Sequence, residues 1–156
     1  MITTKIQVKP HLAEYLRGKY GAESGVVRLP DDLDLYHTLW DLLIKRPTNS
    51  IDVGNLELVL PDRRVGKSPE AFNYLSERGR TIMERRIEVM LWAELHDYLD
   101  EQKHCYGVEY ADGVHVFKSK YVIGAITDDA LLKNYYRWRD RVRKKKTKRD
   151  YKKSEK

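Results

Sequence analysis

EYADGVHVFKSKYVIGAITDDALLKNYYRWRDRVRK, residues 109–144, decides the fold, because its first half reads two ways. Val108 and Tyr110, then Val114 and Val116, flank Ala111-Asp112-Gly113, and Asp-Gly is a strong hairpin signal. Tyr110, Val114, Phe117 and Tyr121 are also spaced four, three and four apart, which is the helical period. As a hairpin the segment is a small wing beside a helix pair. As a helix it runs from about Glu109 to Val122, with Gly113 costing it about 1 kcal/mol relative to Ala. The helix is the preferred reading.

Gly124 breaks that helix, and Thr127 can cap the next by accepting a free backbone N–H. Asp128 and Asp129 then place negative charge where the helix dipole favours it. Leu131, Tyr135, Trp138 and Val142 recur at i, i+4, i+7 and i+11 and line one inward face. Lys133, Arg137 and Lys144 fall roughly opposite. Helix, glycine turn, helix over about 109–144 is the layout of a helix-turn-helix. In that reading Lys133, Asn134 and Arg137 lie nearest the bases or phosphates. Arg141 and Lys144 follow the backbone, Lys145 and Lys146 extend the contact, and Lys118 and Lys120 add phosphate contacts. The competing reading is a surface helix with a solubilising charged back.

The charge is distributed unevenly. Residues 133–156 hold 13 Lys/Arg against 3 Asp/Glu, whereas residues 1–132 hold 17 against 21. The whole formal excess of +6 therefore lies at the C-terminus, and it points to a polyanion, with duplex DNA favoured over RNA. From Arg141 onward apolar residues nearly vanish, so the helix is expected to fray near Lys146 and leave 147–156 as a flexible basic tail. A nuclear localisation signal has a similar composition.

The remaining chain of 156 residues reads as one domain, or as two small units sharing a core. The expected class is α+β, mostly helical. A small α/β unit over 1–62 precedes a helical unit over 63–146. In the first unit a short strand spans Ile2 to Val8, and a helix runs from Pro10 to about Lys19, stopped by Gly21. Val26 to Leu29 is extended, and a second helix covers about Leu35 to Ile44. Leu56, Leu58 and Leu60 alternate as a strand closed by Pro61. Beyond it a short helix is expected from Ser68 or Pro69 to Ser76, then a break at Gly79. A long helix comes next, from about Arg80 to Gln102, with Met83, Ile87, Met90, Leu91, Leu95, Tyr98 and Leu99 inward.

Nothing reads as catalytic. The five His form no His-Glu-x-x-His pattern, and Cys105 is expected as a buried or half-buried filler rather than a nucleophile. No cluster has zinc-ligand spacing, and a single Cys excludes an internal disulfide. Gly66-Lys67-Ser68 lacks the glycine-rich loop of a phosphate-binding motif, though the turn it sits in can touch phosphate. No catalytic residue, metal or cofactor is expected. No signal peptide or apolar run of membrane length is present, so the expected setting is intracellular, cytoplasmic or nucleoid-associated. A homodimer is expected, with Trp40, Trp92 and the short strand edges as candidate interface.

Phe117-x-x-Lys120-Tyr121-x-Ile123, followed by Thr127-Asp128-Asp129 and an aromatic-basic helix, loosely resembles small basic proteins of phages and other mobile elements. The resemblance implies a role in DNA transactions or transcriptional control and assigns no residue. The reading is of a non-enzymatic nucleic-acid-binding protein with an architectural or regulatory role. The alternative is a structural or adaptor protein whose tail is only solvated.

Overall fold

The computed structural model describes the backbone of residues 1–154 and side chains through residue 148. A mixed α/β N-terminal region is followed by a mostly helical C-terminal region. Thr4 and Ile6 point inward from the first strand, β1 (Thr3–Ile6), and Val8 just beyond it is buried too, so the polar Thr4 belongs to the buried row. β1 pairs antiparallel with β3 (Leu56–Val59), with Ile6 opposite Leu56. Val27, from the extended segment, bridges the other side of β3 through Leu58. Helix α1 (Pro10–Tyr20) starts on Pro10, whose fixed φ suits a first helical turn, and buries Leu12, Ala13, Tyr15 and Leu16. Helix α2 (Asp34–Leu42) buries Leu35 and Leu39.

The segment expected as a helix over 68–76 is instead a turn at Ser68 followed by strand β4 (Phe72–Tyr74). β4 pairs with the two-residue strand β2 (Ile44–Lys45), a partner remote in sequence. A helix this short has little stability of its own, so tertiary pairing overrides the local preference. Gly79 does not break the long helix. Helix α3 (Glu77–Tyr106) begins ahead of that glycine, because the Ser76 hydroxyl accepts the Gly79 N–H at 3.1 Å. α3 also runs past Gln102, ending at Gly107 with φ of 67°, a left-handed stop that favours glycine. Met83, Ile87, Leu91, Leu95 and Leu99 are its buried stripe.

Residues 110–121 form helix α4 (Tyr110–Tyr121), not a hairpin. Gly113, which made the hairpin plausible, is there for packing: a Cβ on it would lie 2.9 Å from Leu99 Cδ2. Helix α5 (Asp128–Ser154) comes last. It does not stop near Lys146. No Gly or Pro interrupts 128–154, and Lys and Arg are good helix formers. Val142, expected inward, is 46 % exposed, since the helix has by then left the body. Cys105, expected as filler, is exposed near the end of α3. The buried side chains from Ile6 to Tyr135 form one cluster, so the units expected at 1–62 and 63–146 share a core.

α4 packs against α1, α3 and α5. Its approach to α1 is close enough that a Cβ on Gly18 would enter the van der Waals shell of the Tyr121 carbonyl. Gly18→Ala is therefore expected to destabilise the fold by about 2–3 kcal/mol, despite alanine's better helix propensity. Thermal unfolding of the full chain measures it. An unchanged or raised transition temperature means that α1 and α4 are not in contact here.

Candidate nucleic-acid interface

The start of α5 is fastened to the body from several sides. Thr127 Oγ1 accepts the Ala130 N–H at 3.2 Å, as expected of a cap. In the turn before it, Glu14 of α1 accepts the N–H groups of Gly124 and Ala125 at 2.8 and 2.9 Å. Leu131 and Tyr135 are fully buried, and the Tyr135 hydroxyl donates to Asp100 at 2.5 Å. His96 of α3 stacks on Trp138 with ring centroids 4.4 Å apart, and Trp92 lies on a near-parallel plane at 6.5 Å. Burial lowers the His96 pKa, so at neutral pH the ring is uncharged and Nε2 donates to Asn134 Oδ1 at 2.8 Å. The Arg139 guanidinium closes the joint, 4.8 Å from the Tyr136 ring centroid.

Beyond Arg139 the described side chains leave the body. Every residue from Asp140 to Lys148 is exposed. Asp140 to Ser154 extends about 22 Å at the helical rise.

The residues singled out from sequence divide in two. Lys118 is only 17 % exposed and holds Asp128 Oδ1 at 2.8 Å, and this partner keeps the Asp128 carboxyl below its ordinary pKa. Lys133 pairs with Asp129 at 2.9 Å, although it is exposed. Asn134 Oδ1 is occupied by His96. Lys120 is exposed, with its ammonium 5.1 Å from the centroid of the Tyr121 ring. Arg137, Arg141 and Lys144 share one open face of α5 with Asp140. Lys145 and Lys146 project from other sides of the same helix and, like Arg141 and Lys144, have no ion-pair partner among the described residues. The side chains of residues 149–156 lie outside the described residues.

Several basic residues elsewhere are used internally. Lys67, the lysine of the Gly-Lys-Ser turn, donates to the carbonyls of Trp40, Asp41 and Leu43 at 3.0, 2.8 and 2.8 Å. It thereby satisfies carbonyls at the end of α2 that have no helical donor. Arg63 lies over Trp40, 4.7 Å from the ring centroid. Arg80 does not pair with Glu84 as its spacing suggests; it donates to the Leu75 carbonyl and to Tyr74. Glu84 and Glu88 instead hold Lys9.

Two arrangements were not read from the sequence. The Glu94 carboxylate accepts hydrogen bonds from the Tyr15 and Tyr121 hydroxyls and, at 2.9 Å, from Lys19. Burial raises its pKa, but these three bonds outweigh burial and hold it below the usual value. Burial raises both tyrosine pKa values, and Glu94 adds to that. The cluster joins α1, α3 and α4. The second arrangement is a cleft of about 780 Å³ with Ile2, Leu29, Pro30 and Leu60 in its walls and Asp31, Asp62 and Glu70 among its lining residues. Three carboxylates against the one guanidinium of Arg28, which also lines it, make an unfavourable balance for phosphate.

Among the described residues, no group of three or more His, Cys, Asp or Glu is placed to hold a metal ion. None of their helices is long and apolar enough to cross a membrane. Comparison of the chain with known protein families, curated proteins and solved structures finds no match.

Proposed function

We propose that this protein binds nucleic acid, duplex DNA in preference to RNA, in a non-enzymatic architectural or transcription-regulatory role. The contact is assigned to the free part of α5. One observation carries the reading. The segment holding the chain's positive excess continues as helix beyond the body, and its described cations from Arg141 to Lys148 are exposed and have no ion-pair partner among the described residues. Cations already paired with carboxylates release few counterions when phosphate arrives, whereas free ones add directly to affinity.

A helix-turn-helix docking of α4 and α5 is the finer form of the proposal. It would bring the first turns of α5 to the bases. Those turns carry Asp128 and Asp129, and Lys133 and Asn134 have partners within the chain. These features favour the distal half of α5 as the main contact, with Arg137 at its boundary. The acidic-rimmed cleft supports a second reading, an adaptor that takes a protein partner.

Titration of the full chain with mixed-sequence duplex DNA, RNA and heparin tests the proposal. DNA is expected to bind at micromolar concentration or tighter near 50 mM salt, weakening by a factor on the order of 1,000 by about 200 mM. No DNA binding at the lower salt would leave the adaptor reading standing. Much tighter binding of RNA would reassign the partner.

A further inference from the structure

The free part of α5 is basic on every side rather than along one stripe. Arg143, Lys144, Lys145 and Lys146 are consecutive, and about 3.6 residues complete a helical turn, so these four surround the axis. Arg141 and Lys148 extend the belt by one turn in all, and all six side chains are exposed. A helix resting on a flat anionic surface uses the cations of one face and leaves the others in water. Only a concave partner with negative charge on both walls reaches cations on opposite sides together. The spacing also sets like charges against one another, as at Arg141 and Lys145 and at Lys144 and Lys148. Flanking phosphates relieve that repulsion.

From this belt we infer that the free part of α5 inserts lengthwise into the major groove of B-form duplex DNA, with phosphate contacts from both flanks. The inference rests on the nucleic-acid reading above and specifies its partner. The B-form major groove is about 12 Å wide and admits an α-helix. The A-form major groove of duplex RNA is too deep and narrow for side chains to read. From Asp140 to Ser154 the helix is long enough to follow about six base pairs.

Two paired variants of the full chain remove equal charge from opposite sides. Lys144→Gln with Lys148→Gln removes two cations from the flank that also carries Arg141, and Arg143→Gln with Lys146→Gln removes two from roughly the opposite one. Glutamine has nearly the helix propensity of lysine, and circular dichroism confirms that the helix is kept. On a mixed-sequence DNA duplex, each pair is expected to weaken binding to the same degree. Each is expected to lower the slope of log affinity against log salt by about 1.8. A duplex whose major groove is filled by glucosylated hydroxymethylcytosine, and an RNA duplex of the same sequence, are both expected to bind at least tenfold more weakly. Loss confined to one pair, or equal binding of the groove-filled or RNA duplex, overturns groove insertion while nucleic-acid binding stands. Binding by the unmodified chain that neither pair weakens removes this helix from the contact. If the unmodified chain binds no DNA at low salt, the underlying reading fails and the inference with it.

Discussion

A chain ending at Asp140 is expected to fold as the full chain does and to lose nearly all affinity for DNA. The cut removes 10 Lys/Arg and 2 Asp/Glu, leaving 20 against 22, so the truncated chain has a small negative formal charge. The described residues lost, 141–148, are all exposed, and Val142 is the one large apolar side chain among them. Stability should therefore change by no more than about 0.5 kcal/mol. Leu131, Tyr135, Trp138 and Arg139 remain to hold the start of α5. If about six phosphates are contacted, the salt slope should fall by about 5 and affinity near 50 mM salt by about 100-fold or more. Thermal unfolding and DNA titration of both chains measure the two effects separately. Undiminished DNA binding by the truncated chain would move the contact to the residues it retains, where Lys120 and Arg137 are exposed, as are Arg78 and Arg85 on α3.

The largest effect on stability is expected at Glu94. Replacing it by Ala leaves the Tyr15 hydroxyl without its acceptor in a fully buried side chain and removes the partner of Tyr121 and Lys19. An unsatisfied buried donor costs about 1–3 kcal/mol, so the substitution should cost about 2–4 kcal/mol. For a chain of this size that lowers the unfolding temperature by roughly 5–15 °C. Adding Tyr15→Phe and Tyr121→Phe to Glu94→Ala should recover part of the loss, because no hydroxyl is then stranded. The same carboxylate sets an acid limit. Its folded pKa lies below its ordinary value of 4.5, so its contribution is fully present above about pH 4.5. It is lost as pH falls through the lower folded value. Unfolding followed from pH 7 to pH 3 should show this loss in the native chain and not in Glu94→Ala. A change below about 1 kcal/mol on substitution would mean that the three bonds stabilise little.

The helical elements were legible where apolar spacing repeated over several turns. Val114, Phe117 and Tyr121 are all buried on α4, as the period requires, so periodicity prevailed over the Asp112-Gly113 turn signal. β4 was not legible, because three residues carry no period and their pairing partner lies far away at Ile44–Lys45. The Glu94 cluster was not legible either, since residues 15, 94 and 121 meet only after α1, α3 and α4 have packed. The early start of α3 was within reach. Ser76 stands three residues before Gly79, which is the spacing of a serine cap.

Composition and periodicity by themselves determined the α+β class, the helix from Pro10 to about Lys19, the Thr127 start of α5, and the concentration of positive charge after residue 132, and they favoured a helix over a hairpin for about 109–122. These depend on residue type and spacing along one segment. Which cations stay free was decided only by the tertiary structure. Lys118 and Lys144 look alike in sequence, yet one meets Asp128 at 2.8 Å and the other stands exposed beyond the body with no ion-pair partner among the described residues. Lys67 was placed in a turn, and folding brought three carbonyls within hydrogen-bond reach of it. Net charge is a sum over residues and survives any fold. The availability of each charge depends on which opposite charges and carbonyls lie within a few ångströms, and that neighbourhood exists only once the helices have packed.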